Sequence, residues 1–141
     1  SKIELGKGIP SISYNLRHGG SALIDRKDGK QAIAAIRQLA LYIEEHKRSA
    51  VIFPEGTRSK TGKPGPFAEN GLKILCKYAP SALVVPVTIN NSWKMTRWSS
   101  FPLGIGNKIE FIIHDPIPVE EMPFPALLEK TKQEIIQAIN S

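Results

Sequence analysis

The chain has 141 residues, of which 41% are hydrophobic and 23% are charged, a composition that fits one globular domain rather than two. Eleven Gly and eleven Pro residues are scattered without a period, which excludes a fibrous repeat and argues against a disordered tract. The single cysteine, Cys76, excludes an internal disulfide and a cysteine-rich metal site.

Positive charge is concentrated in the first part of the chain, within a net charge of +6. Residues 1–100 carry 16 Lys and Arg against 7 Asp and Glu, whereas residues 101–141 carry 3 against 6. This bias favours an anionic partner, such as a phosphate metabolite, acidic lipid headgroups, nucleic acid or an acidic carrier protein. Because no nucleic-acid-binding motif occurs, we expect no nucleic acid partner.

The hydrophobic pattern predicts an alternation of helices and strands. The predicted helices are Pro10–Arg17, Asp28–His46, Phe67–Tyr78 and Pro125–Asn140. The predicted strands are Ser21–Asp25, Ala50–Phe53, Leu83–Ile89 and Lys108–His114. The second and third strands are continuous apolar runs typical of strands buried on both faces, although Pro86 predicts a bend or an edge position in the third.

This order predicts an α/β fold with a mainly parallel central sheet flanked by helices, in a single domain covering residues 1–141. In sheets of this kind, ligands bind beyond the carboxyl ends of the strands. The loops that follow Ile24 and Phe53 are therefore the expected positions of a binding site.

Both of these loops carry an arginine, Arg26 in the first and Arg58 in the second. A guanidinium is permanently charged and can contact two phosphate oxygens at once. In the second loop Gly56 allows backbone amides to approach a ligand, and Thr57 adds a hydroxyl donor. Glu55 could accept a substrate hydroxyl. The alternative is a solvated rim in which Arg26 pairs with a neighbouring aspartate and Arg58 with Glu55.

Four stretches of the chain resemble, in the right order, the conserved blocks of the PlsC-type glycerolipid acyltransferases, the 1-acylglycerol-3-phosphate acyltransferase family. The third block is the most specific, Phe-Pro-Glu-Gly-Thr-Arg-Ser at residues 53–59. The other three are Lys-Ile-Glu-Leu at residues 2–5, Gly-Ser-Ala-Leu-Ile-Asp-Arg at residues 20–26, and Val-Val-Pro-Val at residues 84–87.

The resemblance implies transfer of a fatty acyl group from acyl-CoA or acyl carrier protein to lysophosphatidic acid, which gives phosphatidic acid. It implies that Lys2, Arg26 and Arg58 hold the phosphate, with Glu55 and Gly56 at the glycerol part and Thr57 beside them. Pro86 would shape the acyl side of the site. We expect no metal and no cofactor, and we expect the full-length protein to lie at the cytoplasmic face of a membrane.

The family's first block, Asn-His-x4-Asp, does not occur in these residues. In the family its His acts as general base on the attacking hydroxyl, oriented by the Asp. None of His18, His46 and His114 has an Asp five positions later. We expect an N-terminally truncated fragment that is soluble, inactive by itself and able to dimerise; a natural homologue that only binds lipid phosphate is the alternative.

The remaining chemically active side chains have simpler interpretations. His18 and His46 are expected at helix ends, where a cation suits the helix dipole, and His114 at the surface end of a strand. Cys76 is expected to be buried filling. The segment Ser92–Phe101 interleaves aromatic and basic residues, which suits either a bilayer interface or a loop anchored in the core by Trp93 and Trp98.

Overall fold

The structure, a computed structural model, describes residues 29–55, 59, 61–96 and 105–139. These residues fall into two compact units. The first unit holds residues 29–52 and 70–82, and the second holds residues 53–55, 59, 61–69, 83–96 and 105–139. The predicted helix Pro10–Arg17, the predicted strand Ser21–Asp25 and His18 lie outside the described residues.

Helix α1 spans Gly29–His46, which confirms the helix predicted over Asp28–His46. Its end is closed by a bond from the Arg48 amide to the Ile43 carbonyl at 3.2 Å, while Lys47 adopts a left-handed conformation with φ of 50°. This is the Schellman arrangement, which satisfies a carbonyl that the last turn leaves unpaired. His46 lies in the last turn as predicted, where a cation is favourable.

Helix α2 spans Glu69–Tyr78, within the predicted Phe67–Tyr78. The buried apolar side chains of the first unit are Ala40 of α1, Leu72 of α2 and Ala79 just after it. A Cβ placed on Gly71 would lie 3.7 Å from the Ile36 side chain, so the two helices approach closely at this glycine. The amphipathic pattern therefore directs both helices into one small core.

The described residues of the second unit include four short strands and a C-terminal α-helix. The strands are β1 (Leu83–Val84), β2 (Val87–Asn90), β3 (Glu110–Ile113) and β4 (Ile117–Pro118). The pairs β1–β4 and β2–β3 are both antiparallel. The mainly parallel sheet is therefore not confirmed among the described strands. A parallel pair needs a long crossover, usually a helix, and the described residues between β2 and β3 supply only a 3₁₀ helix over Ser92–Thr96.

The strand predicted over Leu83–Ile89 is split at Pro86, which confirms the bend expected there. Proline cannot donate to a sheet ladder, but its carbonyl accepts a bond from the His114 amide at 3.0 Å. Between the pairs Val84–Ile117 and Val87–Ile113, the two residues 85–86 on one strand lie opposite the three residues 114–116 on the other. The four strands thus form one antiparallel ribbon interrupted by a bulge.

Helix α3 spans Phe124–Gln137, close to the predicted Pro125–Asn140, with a proline in its first turn. Its buried side chains are Leu127, Leu128 and Thr131, and Ile117 of β4 is also buried. Ile136 on the same helix is 49% exposed. A short 3₁₀ helix, Val119–Glu121, precedes α3.

The buried strand predicted over Ala50–Phe53 is wrong: these residues form no strand. Val51 is 82% exposed and Phe53 is 71% exposed. A strand requires a hydrogen-bonded neighbour, and within the described part of the chain no segment pairs with these residues. The apolar composition of the run is therefore not sufficient to place it in a sheet.

The burial pattern of β2 is the reverse of what its composition predicts. Thr88 and Asn90 are buried to 1% and 3% exposure, whereas Val87 and Ile89 are exposed. On the paired strand β3, Phe111 is exposed in the same way. The predicted apolar strand buried on both faces is thus corrected: the covered face of β2 is polar, because Thr88 and Asn90 on it have specific partners.

Candidate functional site

The loop that carries the most specific sequence block begins with a turn at Pro54 and Glu55. The Glu55 carboxylate accepts a hydrogen bond from the Gly65 amide at 2.8 Å through its Oε2 atom. The Pro54 carbonyl accepts a second bond, from the Ala68 amide at 2.6 Å. A charged acceptor forms a stronger bond than a neutral one, so Glu55 fastens the start of this loop to its end.

The middle of the same loop is fixed by Ser59 and Gly62. The Ser59 hydroxyl oxygen accepts bonds from the amides of Thr61 at 3.3 Å and Gly62 at 2.9 Å, which forms a local side-chain turn. Gly62 has φ of +82°, and a Cβ there would lie 2.5 Å from the indole nitrogen of Trp93. Only glycine accommodates both that conformation and that neighbour.

Of the six predicted binding residues, the described structure contains Glu55. The other five lie outside the described residues: Lys2, Arg26, Gly56, Thr57 and Arg58. The convergence of Arg26 and Arg58 on one anion therefore stays a prediction. For Glu55 the structure shows a bond that sequence reasoning did not anticipate, since the partner is a backbone amide ten residues away.

A buried polar cluster lies where β2 and the end of β3 face α3. The Thr88 hydroxyl donates to the Ile135 carbonyl at 3.2 Å, and its oxygen lies 2.9 Å from Nε2 of His114. Which of these two atoms donates is set by the tautomer of the imidazole ring. The other ring nitrogen, Nδ1, lies 3.3 Å from Oε2 of Glu134.

This cluster corrects the surface position predicted for His114, whose side chain is only 11% exposed. Asn90 extends the polar contacts along the same face: its side-chain amide donates to Glu110 at 3.1 Å and to the Ala138 carbonyl at 2.9 Å. Thr88 and Asn90 thus bond carbonyls near the C-terminal end of α3, which the helix cannot satisfy itself. We interpret the cluster as structural, because its hydroxyl is buried.

The thiol of Cys76 is half-buried on α2, and its burial raises its pKa above the ordinary value. This fits the predicted filling role, because a nucleophilic cysteine needs a lowered pKa. Within the described ranges, no group of His, Cys, Asp and Glu side chains is placed to hold a metal ion. None of the helices described is both long enough and apolar enough to cross a membrane.

Comparison with protein families matches residues 1–90 to the acyltransferase model, which is more than half of the chain. The chain belongs to the acyltransferase family. The match includes the loop fastened by Glu55 as well as β1 and β2. It thus covers the blocks whose resemblance is visible in the sequence.

Curated relatives of this acyltransferase chain are 1-acyl-sn-glycerol-3-phosphate acyltransferases. The enzyme from Helicobacter pylori is 35% identical over 97 residues, which is 65% of this chain and 40% of that protein. The chloroplastic enzyme BAT2 from Brassica napus is 26% identical over 132 residues, which is 94% of this chain and 37% of that protein. The chain therefore spans well under half the length of these relatives.

A solved structure shows the fold of this acyltransferase chain. The crystal structure of the 1-acyl-sn-glycerophosphate acyltransferase PlsC from Thermotoga maritima matches with a TM-score of 0.76 and 23% identity. The match covers 99% of this chain and 54% of that one. Together with the family match and the curated relatives, it makes the chain a PlsC-type family member.

Proposed function

We propose that this chain is the substrate-binding part of an enzyme that makes phosphatidic acid. A fatty acyl group passes from the thioester of acyl-CoA or acyl carrier protein to the free hydroxyl of 1-acylglycerol-3-phosphate. The thioester C–S bond breaks, an ester C–O bond forms, and the hydroxyl proton leaves with the free thiol. The observation that carries this proposal is the family match over residues 1–90, supported by the activity named for the curated relatives.

In the proposed site, the cations Lys2, Arg26 and Arg58 hold the substrate phosphate. Arg58 is expected to make two parallel bonds to phosphate oxygens, the geometry that guanidinium favours. Glu55, Gly56 and Thr57 lie at the glycerol part. The position of Glu55 supports this role, because its bond to Gly65 uses Oε2 and holds the carboxylate in a fixed orientation.

We propose that the reaction needs no metal and no cofactor beyond the acyl donor, and that the whole protein works at the cytoplasmic face of a membrane. The 141 residues contain no Asn-His-x4-Asp sequence. Without that general base the chain by itself is expected to be slower by about 10²- to 10⁴-fold. We propose that the complete gene product supplies the catalytic His and Asp.

The test is an acyl-transfer assay on two proteins, the 141-residue chain and the complete product of its gene. Labelled acyl-CoA and labelled acyl carrier protein are offered separately with 1-acylglycerol-3-phosphate. We expect the complete product to form phosphatidic acid and the chain alone to form it at least about 10²-fold more slowly. Formation of no phosphatidic acid by a complete product that carries an Asn-His-x4-Asp sequence would overturn the proposal.

A substitution tests the proposed phosphate contact. In the complete product, Arg58→Ala should lower kcat/KM by about 10- to 100-fold, mainly through KM, because a charged bidentate contact is lost. The matched control is Arg48→Ala, an exposed arginine just after α1. Full activity of the Arg58→Ala enzyme would show that the assigned role is wrong.

A non-catalytic protein that binds lysolipid phosphate is the second candidate, favoured by the absence of an Asn-His-x4-Asp sequence from these residues. It predicts that the complete gene product also lacks this sequence, binds 1-acylglycerol-3-phosphate and transfers no acyl group from either donor. Equilibrium dialysis with the labelled lysolipid, run beside the transfer assay, separates the two candidates.

A further inference from the structure

Helices α1 and α2 of the first unit enclose an open groove of about 290 Å³. Three of its lining residues are cations and three are apolar or aromatic. They are Arg37, Lys73 and Lys77, with Ile33, Ile74 and Tyr78. None of these residues belongs to the site proposed for acyl transfer, so the groove is a separate feature of the surface.

Two of the three cations lie against the same tyrosine ring. The Arg37 guanidinium lies 4.8 Å from the centre of the Tyr78 ring, and the Lys77 ammonium lies 5.5 Å from the same centre. The electron-rich face of the tyrosine attracts both and fixes their positions. Among the residues that the structure describes, none forms an ion pair with Arg37, Lys73 or Lys77. A bound anion would relieve the mutual repulsion of these cations.

Apolar side chains accompany these cations in a pattern that suits lipid. Ile33 is 54% exposed in the groove, and Leu41 is 46% exposed two turns further along α1. Ile33, Arg37 and Leu41 follow at four-residue spacing, which places them on one face of the helix. Long basic side chains can bind headgroup phosphates while apolar and tyrosine side chains enter the interfacial layer.

We propose that this groove docks the protein onto a membrane surface by binding the phosphates of anionic phospholipids. Charge complementarity selects an anion, and the exposed Ile33 and Leu41 favour a lipid surface over an acidic peptide, whose carboxylates would leave them uncovered. The inference rests on the proposed function in one respect, that a lysolipid substrate is reached at a membrane. It would place that membrane against the α1–α2 face.

The test uses the 141-residue chain and co-sedimentation with vesicles of phosphatidylcholine, with and without phosphatidylglycerol. The groove variant Arg37→Gln/Lys73→Gln/Lys77→Gln is compared with the control Lys63→Gln/Lys108→Gln/Lys130→Gln, which removes the same charge at exposed lysines elsewhere. We expect binding to require phosphatidylglycerol and to weaken roughly 100-fold in the groove variant, since each cation at the surface contributes about fivefold. The control should weaken by about threefold or less through the general field.

A second pair of variants tests the apolar contribution. Ile33→Ser should weaken vesicle binding by about fivefold, because apolar surface that would be buried in the interface is removed. Its control is Ile105→Ser, an isoleucine that is 96% exposed in the second unit. Both isoleucines are largely exposed, so neither substitution should alter the unfolding midpoint in urea, which is measured for every variant.

Equal weakening of the groove and control triple variants would overturn the inference, because binding would then follow net charge alone. Inorganic phosphate that displaces the chain, when sulfate of matched ionic strength does not, would identify the groove as a site for free phosphate. Binding of a polyglutamate peptide to the groove, without binding to vesicles, would assign the surface to an acidic protein. In the complete gene product, the groove variants would leave acyl transfer to dispersed lysolipid unaffected. Failure of the membrane-docking inference is therefore distinguishable from failure of the proposed function.

Discussion

The bonds of Thr88 allow a direct test of how the second unit is held together. Replacing Thr88 by Val keeps the shape of the side chain and removes its hydroxyl at a position that is 1% exposed. Two bonds are lost, one to the Ile135 carbonyl and one to His114. Each such bond contributes about 1 kcal/mol, and both partners become unsatisfied in a buried place. We therefore expect the free energy of unfolding to fall by about 2 kcal/mol.

The matched control is Thr131→Val, the same chemical change in a buried position of α3. The Thr131 hydroxyl donates to the Leu127 carbonyl at 2.8 Å, a carbonyl that also lies within the bonded interior of the helix. Its removal leaves no group without a partner, so the expected cost is within about 0.5 kcal/mol. Thr88→Ser, which keeps the hydroxyl, should retain most of the stability lost in Thr88→Val.

The measurement is urea unfolding followed by circular dichroism, with the slope of the transition checked for constancy across the variants. A cost for Thr88→Val no larger than that of Thr131→Val would refute the reasoning. It would mean that the bonds from the ribbon to the end of α3 contribute nothing beyond shape.

Three further predictions concern other parts of the chain. The Ser81 hydrogen bond lowers the pKa of Glu44 below its ordinary value of 4.5. The stability that this bond contributes is therefore present above pH 4.5 and is lost as the pH falls through the lower pKa of Glu44 in the folded state. Ser81→Ala should thus lower the free energy of unfolding at neutral pH and leave it unchanged well below pH 4.5. Urea unfolding at both pH values measures this, and equal effects at the two would contradict the prediction. Because burial raises the pKa of Cys76, iodoacetamide should react more slowly with the folded chain than with the unfolded chain; equal rates would disprove it. Gly62→Ala should cost about 2 kcal/mol and shift tryptophan fluorescence, because φ of +82° and Trp93 exclude a Cβ; an unchanged midpoint would count against it.

The helices were predictable from the sequence because their signal is local. The apolar spacing of α1 and α2 places each within two residues of its observed bounds, and Pro125 correctly indicates the start of α3. These features depend on residues three or four positions apart. No knowledge of the partner surface is needed to read them.

The strands were less predictable, because the alternation of side chains along a strand defines two faces but does not show which face is packed against the rest of the protein. On β3, Phe111 and Ile113 share one face and His114 continues the other, and the structure covers the second. The covered face has partners in Thr88 and Glu134, which lie 26 residues before and 20 residues after His114. Hydrophobicity alone favours the opposite assignment, and only the distant partners reverse it.

The internal bonds of the candidate loop were not predictable from the sequence. The block around Glu55 directs attention to a loop that lies within the family match, and the binding role of its residues stays a prediction. The bond from Gly65 to Glu55 was not predictable, because it depends on the path of the backbone between them. The turn at Ser59 has a sequence signal that could have been recognised. A hydroxyl side chain shortly before a glycine, here Ser59 before Gly62, is typical of a turn closed by a side-chain hydrogen bond.

The bulge at Pro86 also protects the ribbon against pairing in a wrong alignment. Pro116 and Pro118 lie on the opposite side of the ribbon, so three positions in a short stretch have no amide hydrogen to offer. In a shifted register, any carbonyl that comes to face one of these proline nitrogens has no donor there. Misaligned pairing, within one molecule or between neighbouring molecules during folding, is thereby disfavoured at the expense of a single interrupted ladder.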